Sequence, residues 1–338
     1  MPSHYRFWAC AAGPLVLLAT VACQDDGRSP TEPGAGSLAT PQLALGSNTW
    51  VARKDMPSDR NDFALATVPN ASGQSILYVM GGHSPGGGGV SQVNAYNVAT
   101  NTWTWRAQMP VPVFKSNGAG VIGGKIYVSG GAVNFYNYSA ALQVYDPAKN
   151  VWIRKRDLPA AGAFGLTGVI DGKLYVLTGC GGTPCFFFRY DPASDHWTSL
   201  PTPIQPHVDG VGGVIGNELY VVGGGAWGDG TTLEAYDPAT NQWTAKGRIP
   251  ERRYSSASVV MGNRLHVIGG SVDGPDGVIR QTRTHLAYDP AKNIWITKAP
   301  LPSSAHALAV AGKVFLNGLP RIEFVGGSRP GNNWQYIQ

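Results

Sequence analysis

A three-part pattern recurs along the 338-residue sequence and constrains its fold more than any other feature. A clear copy begins with the apolar run LYVVGG at 219–224, which ends in a glycine pair. A variable loop follows, then the turn Tyr236-Asp237-Pro238, then Trp243. β-forming residues that end in Gly-Gly predict a strand that stops sharply, and Asp-Pro predicts a turn between two further strands. One copy therefore predicts a group of short strands joined by turns.

The copies keep the same internal order along the chain. The strand endings are LYVMGG (77–82), IYVSGG (126–131), LYVLTG (174–179), LYVVGG (219–224), LHVIGG (265–270) and IEFVGG (322–327). The tyrosines are Tyr96, Tyr145, Tyr190, Tyr236, Tyr288 and, without the turn, Tyr336. The tryptophans are Trp50, Trp103, Trp152, Trp197, Trp243 and Trp295, spaced 45 to 53 residues apart. A fixed period of this length predicts a repeat architecture.

Composition agrees with an all-β protein and argues against two other classes. The sequence has 45 glycines and 25 prolines, which suits many tight turns. Only 14% of its residues are charged and aromatic residues are plentiful, which argues against intrinsic disorder. The formal charge of +5 is spread over scattered lysines and arginines. Without a basic stripe, nucleic-acid binding is not expected.

The repeated pattern resembles the kelch repeat over about residues 48–338. This resemblance implies an all-β, six-bladed kelch β-propeller with four antiparallel strands per blade. The first strand of each blade is rich in small residues and lies at the axis, and the second carries the YVxGG run. The third strand carries the tyrosine and the fourth the tryptophan, which fill the space between blades. Two-residue turns are expected between strands one and two, at Gly123-Gly124, Asp171-Gly172, Gly216-Asn217 and Gly262-Asn263.

The order of the landmarks predicts how the ring closes. Trp50 has no preceding glycine pair, and the last glycine pair has no tryptophan strand in the expected place after it. We therefore expect the strand around Trp50 to complete the last blade and close the ring. A competing interpretation makes Val314–Gly318 the second strand and Trp334 part of the last outer strand. The first interpretation matches the repeat better, but it requires a longer first hairpin.

The N-terminal residues predict export. Residues 1–22 carry Arg6 and then an apolar run that ends just before Cys23. They resemble a bacterial lipoprotein signal peptide, which implies lipidation of Cys23. Thr20 stands where leucine is usual in that signal, and ordinary signal peptidase could also cut after Ala22. Residues 23–47 predict a flexible tether to the propeller at 48–338. The expected location is the bacterial cell envelope, with a lipid anchor in the periplasm or at the outer surface.

Long, unlike loops predict a ligand-binding face over the central channel. Strands two and four end on this face, and just after each proline the chain enters the channel from it, for example at Lys115. The predicted ligand-binding residues are Arg60, Asn61, His207, Arg253, Tyr254 and His306 at the channel and His83, Tyr136 and Trp227 on the loops. The two arginines would suit a carboxylate, a sulfate or an acidic sugar. Each arginine and histidine could instead be solvated or hold a neighbouring backbone carbonyl.

Cysteines and acidic clusters provide no convincing metal site. Cys180 and Cys185 lie in one loop, and in an exported protein they predict a disulfide. A metal pair is the alternative, but other ligands are absent nearby in the sequence. Asp273–Gly277 has some likeness to a calcium loop but lacks the spaced oxygen ligands of an EF-hand, so a plain turn is favoured. We therefore expect neither a metal nor a cofactor.

Two enzyme families share the kelch propeller, but the residues favour a non-catalytic role. A galactose-oxidase-like copper site needs a Tyr–Cys crosslink, and besides Cys23 the mature domain has only the Cys180/Cys185 pair. The periplasmic sialic acid mutarotase needs an acid–base group beside an arginine, which Arg60 or Arg253 with His207 or His306 could supply.

The leading hypothesis is a membrane-anchored binding or interaction module for a protein or glycan at the cell envelope. The alternative is an isomerase, a mutarotase or epimerase of sugar acids, because architecture alone does not fix function. A third possibility is a purely structural tethered domain.

Overall fold

The computed structural model describes residues 47–83, 87–179, 185–225, 229–274, 276–303, 308–327 and 332–338. Over these ranges all regular structure is β-strand, in agreement with the predicted fold class. The same ranges contain no helix with the length and hydropathy needed to cross a membrane.

The described residues form 26 strands. In chain order they are β1 (Thr49–Ala52), β2 (Ala64–Pro69), β3 (Ser75–Met80), β4 (Val93–Asn97), β5 (Thr102–Trp105), β6 (Ala119–Ile122), β7 (Lys125–Ser129), β8 (Leu142–Asp146), β9 (Val151–Lys155), β10 (Leu166–Ile170), β11 (Lys173–Leu177), β12 (Phe187–Asp191) and β13 (His196–Leu200). They continue as β14 (Val211–Ile215), β15 (Glu218–Val222), β16 (Leu233–Asp237), β17 (Gln242–Ala245), β18 (Ala257–Met261), β19 (Arg264–Ile268), β20 (Ser271–Asp273), β21 (Ile279–Gln281), β22 (His285–Asp289), β23 (Ile294–Lys298), β24 (Ala309–Leu316), β25 (Leu319–Gly326) and β26 (Asn333–Ile337).

Twenty-four of these strands form six antiparallel sheets of four, the blades of a β-propeller. Blade one is β2–β5, blade two β6–β9, blade three β10–β13 and blade four β14–β17. Blade five is β18, β19, β22 and β23, with the small hairpin β20–β21 inserted after its second strand. Blade six has the order β24, β25, β26, β1. The prediction of a six-bladed, four-stranded propeller is confirmed.

The N-terminal strand closes the ring as predicted. β1 pairs with β26, with Trp50 opposite Tyr336. The competing interpretation of blade six is wrong, because Val314 belongs to the first strand β24 and IEFVGG lies in the second strand β25. The long first hairpin consists of two eight-residue strands joined at Asn317 and Gly318, whose φ angles are 53° and 76°.

The repeated tyrosines and tryptophans join neighbouring blades by hydrogen bonds. Tyr145, for example, donates its hydroxyl to Asn150 Oδ1 (2.6 Å), and that oxygen also accepts the backbone N–H of Ala107 in blade one (2.9 Å). The Trp152 indole donates to the carbonyl of the same Ala107 (2.8 Å). Trp50 does the same at the closure, donating to Ala299 of blade five (2.9 Å). The landmarks that identify the repeat therefore hold the blades together, in agreement with the predicted packing.

Small residues in the first strands are explained by contacts between blades. A Cβ added to Gly120 in blade two would come 2.4 Å from Leu174 Cδ1 in blade three. One added to Gly168 in blade three would come 2.6 Å from Leu219 Cδ1 in blade four. Both distances are shorter than real Cβ contacts, so a side chain at either position would have to displace a buried leucine of the next blade, which favours glycine there.

Candidate functional site

Six backbone hydrogen bonds run head to tail around the central channel. One residue in the segment just before each first strand donates its N–H to the carbonyl of the corresponding residue in the preceding blade, at 2.8 to 3.3 Å. The sixth bond, from Asp62 N to Leu308 O, closes the circle. We call these residues the mouth ring; its members are Asp62, Lys115, Phe164, Asp209, Ser255 and Leu308.

Every member of the mouth ring has a left-handed backbone conformation. Their φ angles lie between 47° and 66°, although none is a glycine. Such angles are uncommon for side-chain-bearing residues and usually mark turns or sites under local constraint. Here the six ring bonds provide that constraint, and they fix six side chains at the mouth of the channel.

The mouth ring surrounds a cavity of about 280 Å³ in the centre of the propeller. Three of the ring side chains form a charged cluster there. Lys115 Nζ lies 2.8 Å from both carboxylate oxygens of Asp209 and 3.3 Å from Asp62 Oδ1. It also lies 5.3 Å from the centre of the Phe164 ring, and Ser255 Oγ donates to Asp209 Oδ2 (3.0 Å). Among the described lining residues, these two carboxylates and one ammonium are the only charged groups.

Burial and mutual charge shape the protonation of this cluster. Burial raises the pKa of Asp62 above its usual value, Lys115 opposes this shift, and the neighbouring Asp209 reinforces it. Burial by itself would lower the pKa of Lys115, but the charges of Asp209 and Asp62 and their hydrogen bonds raise it overall. The ammonium therefore stays charged, and with both carboxylates ionised the cluster has one net negative charge.

An aromatic group lies beside the mouth on the loops of blades one and two. The His83 ring centre lies 5.1 Å from that of Phe114 and 5.5 Å from that of Phe135, and Phe114 lies 5.7 Å from Phe135. Phe135 is 65% exposed and the adjacent Tyr136 is 92% exposed. We call His83, Phe114, Phe135 and Tyr136 the aromatic rim. Phe114 is buried and directly precedes Lys115 of the mouth ring, so it links the rim to the charged cluster along the chain.

The loops of blades four and five carry mainly charged pairs. Arg248 contacts Asp229, and Arg252 Nη1 lies 3.1 Å from Asp273 Oδ2. Tyr254, one of the predicted ligand-binding residues, donates to Asp273 Oδ1 (3.3 Å). The loop face thus has an apolar side and a charged side.

Three predicted site residues turn into their own blades instead of toward the cavity. Arg60, His207 and Arg253 are all buried. His207 Nδ1 lies 2.7 Å from the carbonyl of Gly223, and Arg253 donates to the carbonyl of Gly269 (2.8 Å). These side chains hold the loops that lead into the first strands of blades one, four and five. The cavity is lined by the mouth ring, two positions further along the chain.

The remaining predicted residues are divided between the loop face and segments outside the description. Asn61 pairs with His83 through backbone hydrogen bonds, and Tyr136 projects from the blade-two loop. Cys185 is disulfide-bonded. His306, Trp227, Cys180 and Cys23 lie outside the described residues.

Sequence reasoning missed most of the mouth ring because it selected residues by chemistry. Arg60, His207 and Arg253 attracted attention because of their chemistry, but each lies two residues before a member of the mouth ring. The ring members themselves are, in chain order, Asp, Lys, Phe, Asp, Ser and Leu. The useful signal was the repeat register, since Lys115 stands at the predicted channel entrance in blade two. In the described ranges, no group of three or more His, Cys, Asp or Glu side chains is arranged to hold a metal ion.

Comparisons with known proteins support the kelch β-propeller. Residues 115–159 and 209–246 match the Kelch motif. Kelch-like protein terF of Aspergillus terreus is 30% identical over 269 residues, which cover 72% of this chain and 58% of that protein. Kelch-like protein 25 of Xenopus tropicalis is 28% identical over 161 residues, covering 45% of this chain and 27% of that protein. The chain thus spans little more than half of the first relative and about a quarter of the second.

A solved structure described as "Structure of YjhT" has the same fold. It matches with a TM-score of 0.65 over 83% of this chain and 94% of its own, at 16% sequence identity. At this identity the likeness concerns the fold alone.

Proposed function

We propose that this chain is a binding module for a protein partner at the bacterial cell envelope, and that the partner docks on the loop face. The observation that carries the proposal is the aromatic rim, whose Phe135 and Tyr136 are exposed and whose Phe114 adjoins Lys115 of the charged cluster in the chain. Kelch propellers are a type of protein-interaction module, which adds support.

The rim has the properties of an anchor for a protein partner. Phe135 and Tyr136 present large aromatic surfaces to solvent. Aromatic side chains dominate the energetics of many protein interfaces, because each buries a large area at a small cost in conformational entropy. A single exposed aromatic side chain is common on protein surfaces, but here Phe135 packs against His83 and Phe114 and the adjacent Tyr136 extends the exposed aromatic area into a patch.

The loop that carries the rim is held in place before any partner arrives. Asn134 Oδ1 accepts the backbone N–H of Tyr136 (3.0 Å) and of Asn137 (2.9 Å). Ala132 bridges Phe114 on one side and Tyr138 on the other. A preorganised loop loses less entropy on binding, so more of the contact energy contributes to affinity.

The sugar-acid isomerase alternative finds less support in this geometry. Recognition of a sugar carboxylate needs an accessible cation, and Arg60 and Arg253 are buried in their blades. Among the described lining residues the only cation is Lys115, which two carboxylates already neutralise. No observation favours catalysis over binding, and we do not extend the proposal to an enzymatic activity.

Site-specific photocrosslinking in the native envelope tests the docking face. A photoreactive residue in place of Tyr136 should yield a discrete adduct with a polypeptide. The matched control is Lys149, an exposed turn residue on the opposite face, which should yield none. Equal adducts at both positions, or an adduct with a glycan and no polypeptide, would contradict the proposal.

A pair of substitutions tests the rim itself. Phe135→Ala should weaken binding of the crosslinked partner by about tenfold or more, as expected for an interface anchor, with little change in thermal stability. Phe315→Ala is the control, because Phe315 is 47% exposed near the tip of the β24–β25 hairpin on the opposite face. Equal losses of affinity in the two variants would show that the rim has no special role.

Export and anchoring form a separate part of the proposal. They rest on the resemblance of residues 1–22 to a lipoprotein signal and on the predicted tether at 23–47. Mass spectrometry of the mature protein should find diacylglyceryl-modified Cys23 at the N-terminus, and Cys23→Ser should release the protein from the membrane fraction. An unmodified N-terminus would remove the anchor from the proposal but leave the docking face untouched.

A further inference from the structure

Arg60 is a buried cation whose partners in the structure are all neutral. Its side chain is 2% exposed. Nη1 donates to Gln92 Oε1 (3.2 Å), and Nη2 donates to Asn94 Oδ1 (2.6 Å) and to the Val79 carbonyl (3.3 Å). Arg60 Nε and the neighbouring Asn94 Nδ2 are buried donors without a hydrogen-bond partner.

In two other blades the side chain at this position lies beside a carboxylate. His207 of blade four occupies the equivalent place, and its Nε2 lies 3.3 Å from the buried carboxylate of Glu234. Arg253 of blade five contacts the carboxylate of Glu251. In blade one the position of Glu234, two residues before the repeat tyrosine, is taken by the uncharged Asn94. Blade one thus has the cation without the acid.

The charge on Arg60 persists despite this environment. Burial lowers its pKa to about 10, which still leaves the guanidinium protonated near neutral pH. An uncompensated charge in the protein interior is costly, and buried charges are normally paired. The described residues make no ion pair with Arg60, and the sequence segments omitted from the description after residue 46 contain no Asp or Glu.

We propose that blade one binds a small monovalent anion, chloride being the simplest, at Arg60 Nε and Asn94 Nδ2. The two unpartnered donors belong to side chains that are hydrogen-bonded to each other, so one small anion would complete both. It would take the role that the Glu234 carboxylate has in blade four. This site is independent of partner docking on the loop face.

Halide titration at constant ionic strength tests the site. The melting temperature of the mature protein should rise by a few degrees and then saturate as gluconate is replaced by chloride or bromide, because a ligand that binds only the folded state stabilises it. Asn94→Asp supplies an internal carboxylate in an isosteric side chain. This variant should show no halide response and should melt at or above the saturated wild-type value.

Two results would overturn the proposal. One is a wild-type melting temperature that does not depend on halide; the other is an equal halide dependence in wild type and Asn94→Asp. A crystal grown in bromide provides a direct check that does not require a variant to fold. Its anomalous map should show a peak in contact with Arg60 Nε, and the absence of a peak would reject the site.

Discussion

A buried histidine pair at the closure of the ring predicts a specific acid sensitivity. His266 Nδ1 lies 2.8 Å from His285 Nε2, and both side chains are buried in blade five. His285 packs against Trp50 and Tyr336 of blade six, with ring centres 5.7 and 4.7 Å away. A proton added to this pair therefore places charge at the seam that β1 closes.

The size and direction of the effect follow from the pKa values. The pKa of His266 is lowered to about 4 and that of His285 to about 3, mainly by burial. The charge of His266 contributes to the shift of His285, that of Arg264 to the shift of His266, and that of Lys298 to both. Because the folded values lie below the unfolded value of about 6.5, the unfolded state binds more protons. Stability is therefore lost as pH falls below about 6.5. At pH 5 the linkage relation gives roughly 2 kcal/mol per histidine, or up to about 4 kcal/mol for the pair.

Urea unfolding between pH 7.5 and pH 4.5 measures this loss. His266→Tyr with His285→Leu restores the residues that blades two and four carry at these positions, for example Tyr220 and Leu233. The double variant should lose about 2 to 4 kcal/mol less than wild type between pH 7 and pH 5. His196→Gln, an exposed histidine on β13, should follow the wild-type profile. Parallel profiles for wild type and the double variant would refute the reasoning.

Three further substitutions test other parts of the structure. Burial raises the pKa of Glu323 to about 7, so its ionisation lowers the stability of the folded state as pH rises. Glu323→Gln should therefore gain roughly 2 to 3 kcal/mol of unfolding free energy at pH 8 and nothing at pH 4.5. An equal gain at both pH values would contradict this. Trp50→Ala should lower the free energy of unfolding in urea by about 3 to 5 kcal/mol. Trp50→Phe removes the hydrogen bond to Ala299 but keeps an aromatic ring, so it should lower it by only about 1 to 2 kcal/mol. Equal losses would argue against packing as the main contribution of Trp50 to stability. Lys115→Met leaves the carboxylates of Asp62 and Asp209 without their cation, so it should lower the free energy of unfolding by about 3 kcal/mol at pH 7. Part of this loss should be recovered at pH 4, where the carboxylates are protonated. A loss that does not change with pH would indicate lost packing instead.

The fold could be predicted in detail because its determinants are local and repeated. Tyr145 and Trp152, for example, take part in hydrogen bonds between blades, and most of the equivalent residues of the other blades do the same with small variations. A single sequence therefore contains several examples of each contact. The position of β1 followed from counting landmarks, since Trp50 had no blade of its own. The last blade also agrees with this count of landmarks, because its two eight-residue strands are joined by a turn at Asn317-Gly318.

The candidate site was harder to predict because it lies where the repeat varies. Arg60 and Arg253 looked like ligand contacts because of their charge, yet their side chains hydrogen-bond to groups within their own blades. The cavity is lined instead by residues two positions later, Asp62 and Ser255, and the sequence gives no sign of their left-handed backbone conformation. The Lys115–Asp209 contact joins blades two and four across the channel, so no local pattern could indicate it.

The hydrogen bonds of the mouth ring form a closed circle with no first or last member. The ring can therefore close whichever blade comes first in the chain. Asn48 N donates to Ile337 O (2.7 Å), so the two ends of the propeller domain are adjacent and a short peptide could join them. A circular permutant with new ends opened between β20 and β21 would keep all six ring bonds and the Trp50 strand in place. It should therefore fold to the same propeller, with both the N-terminus and the C-terminus of the new chain in blade five.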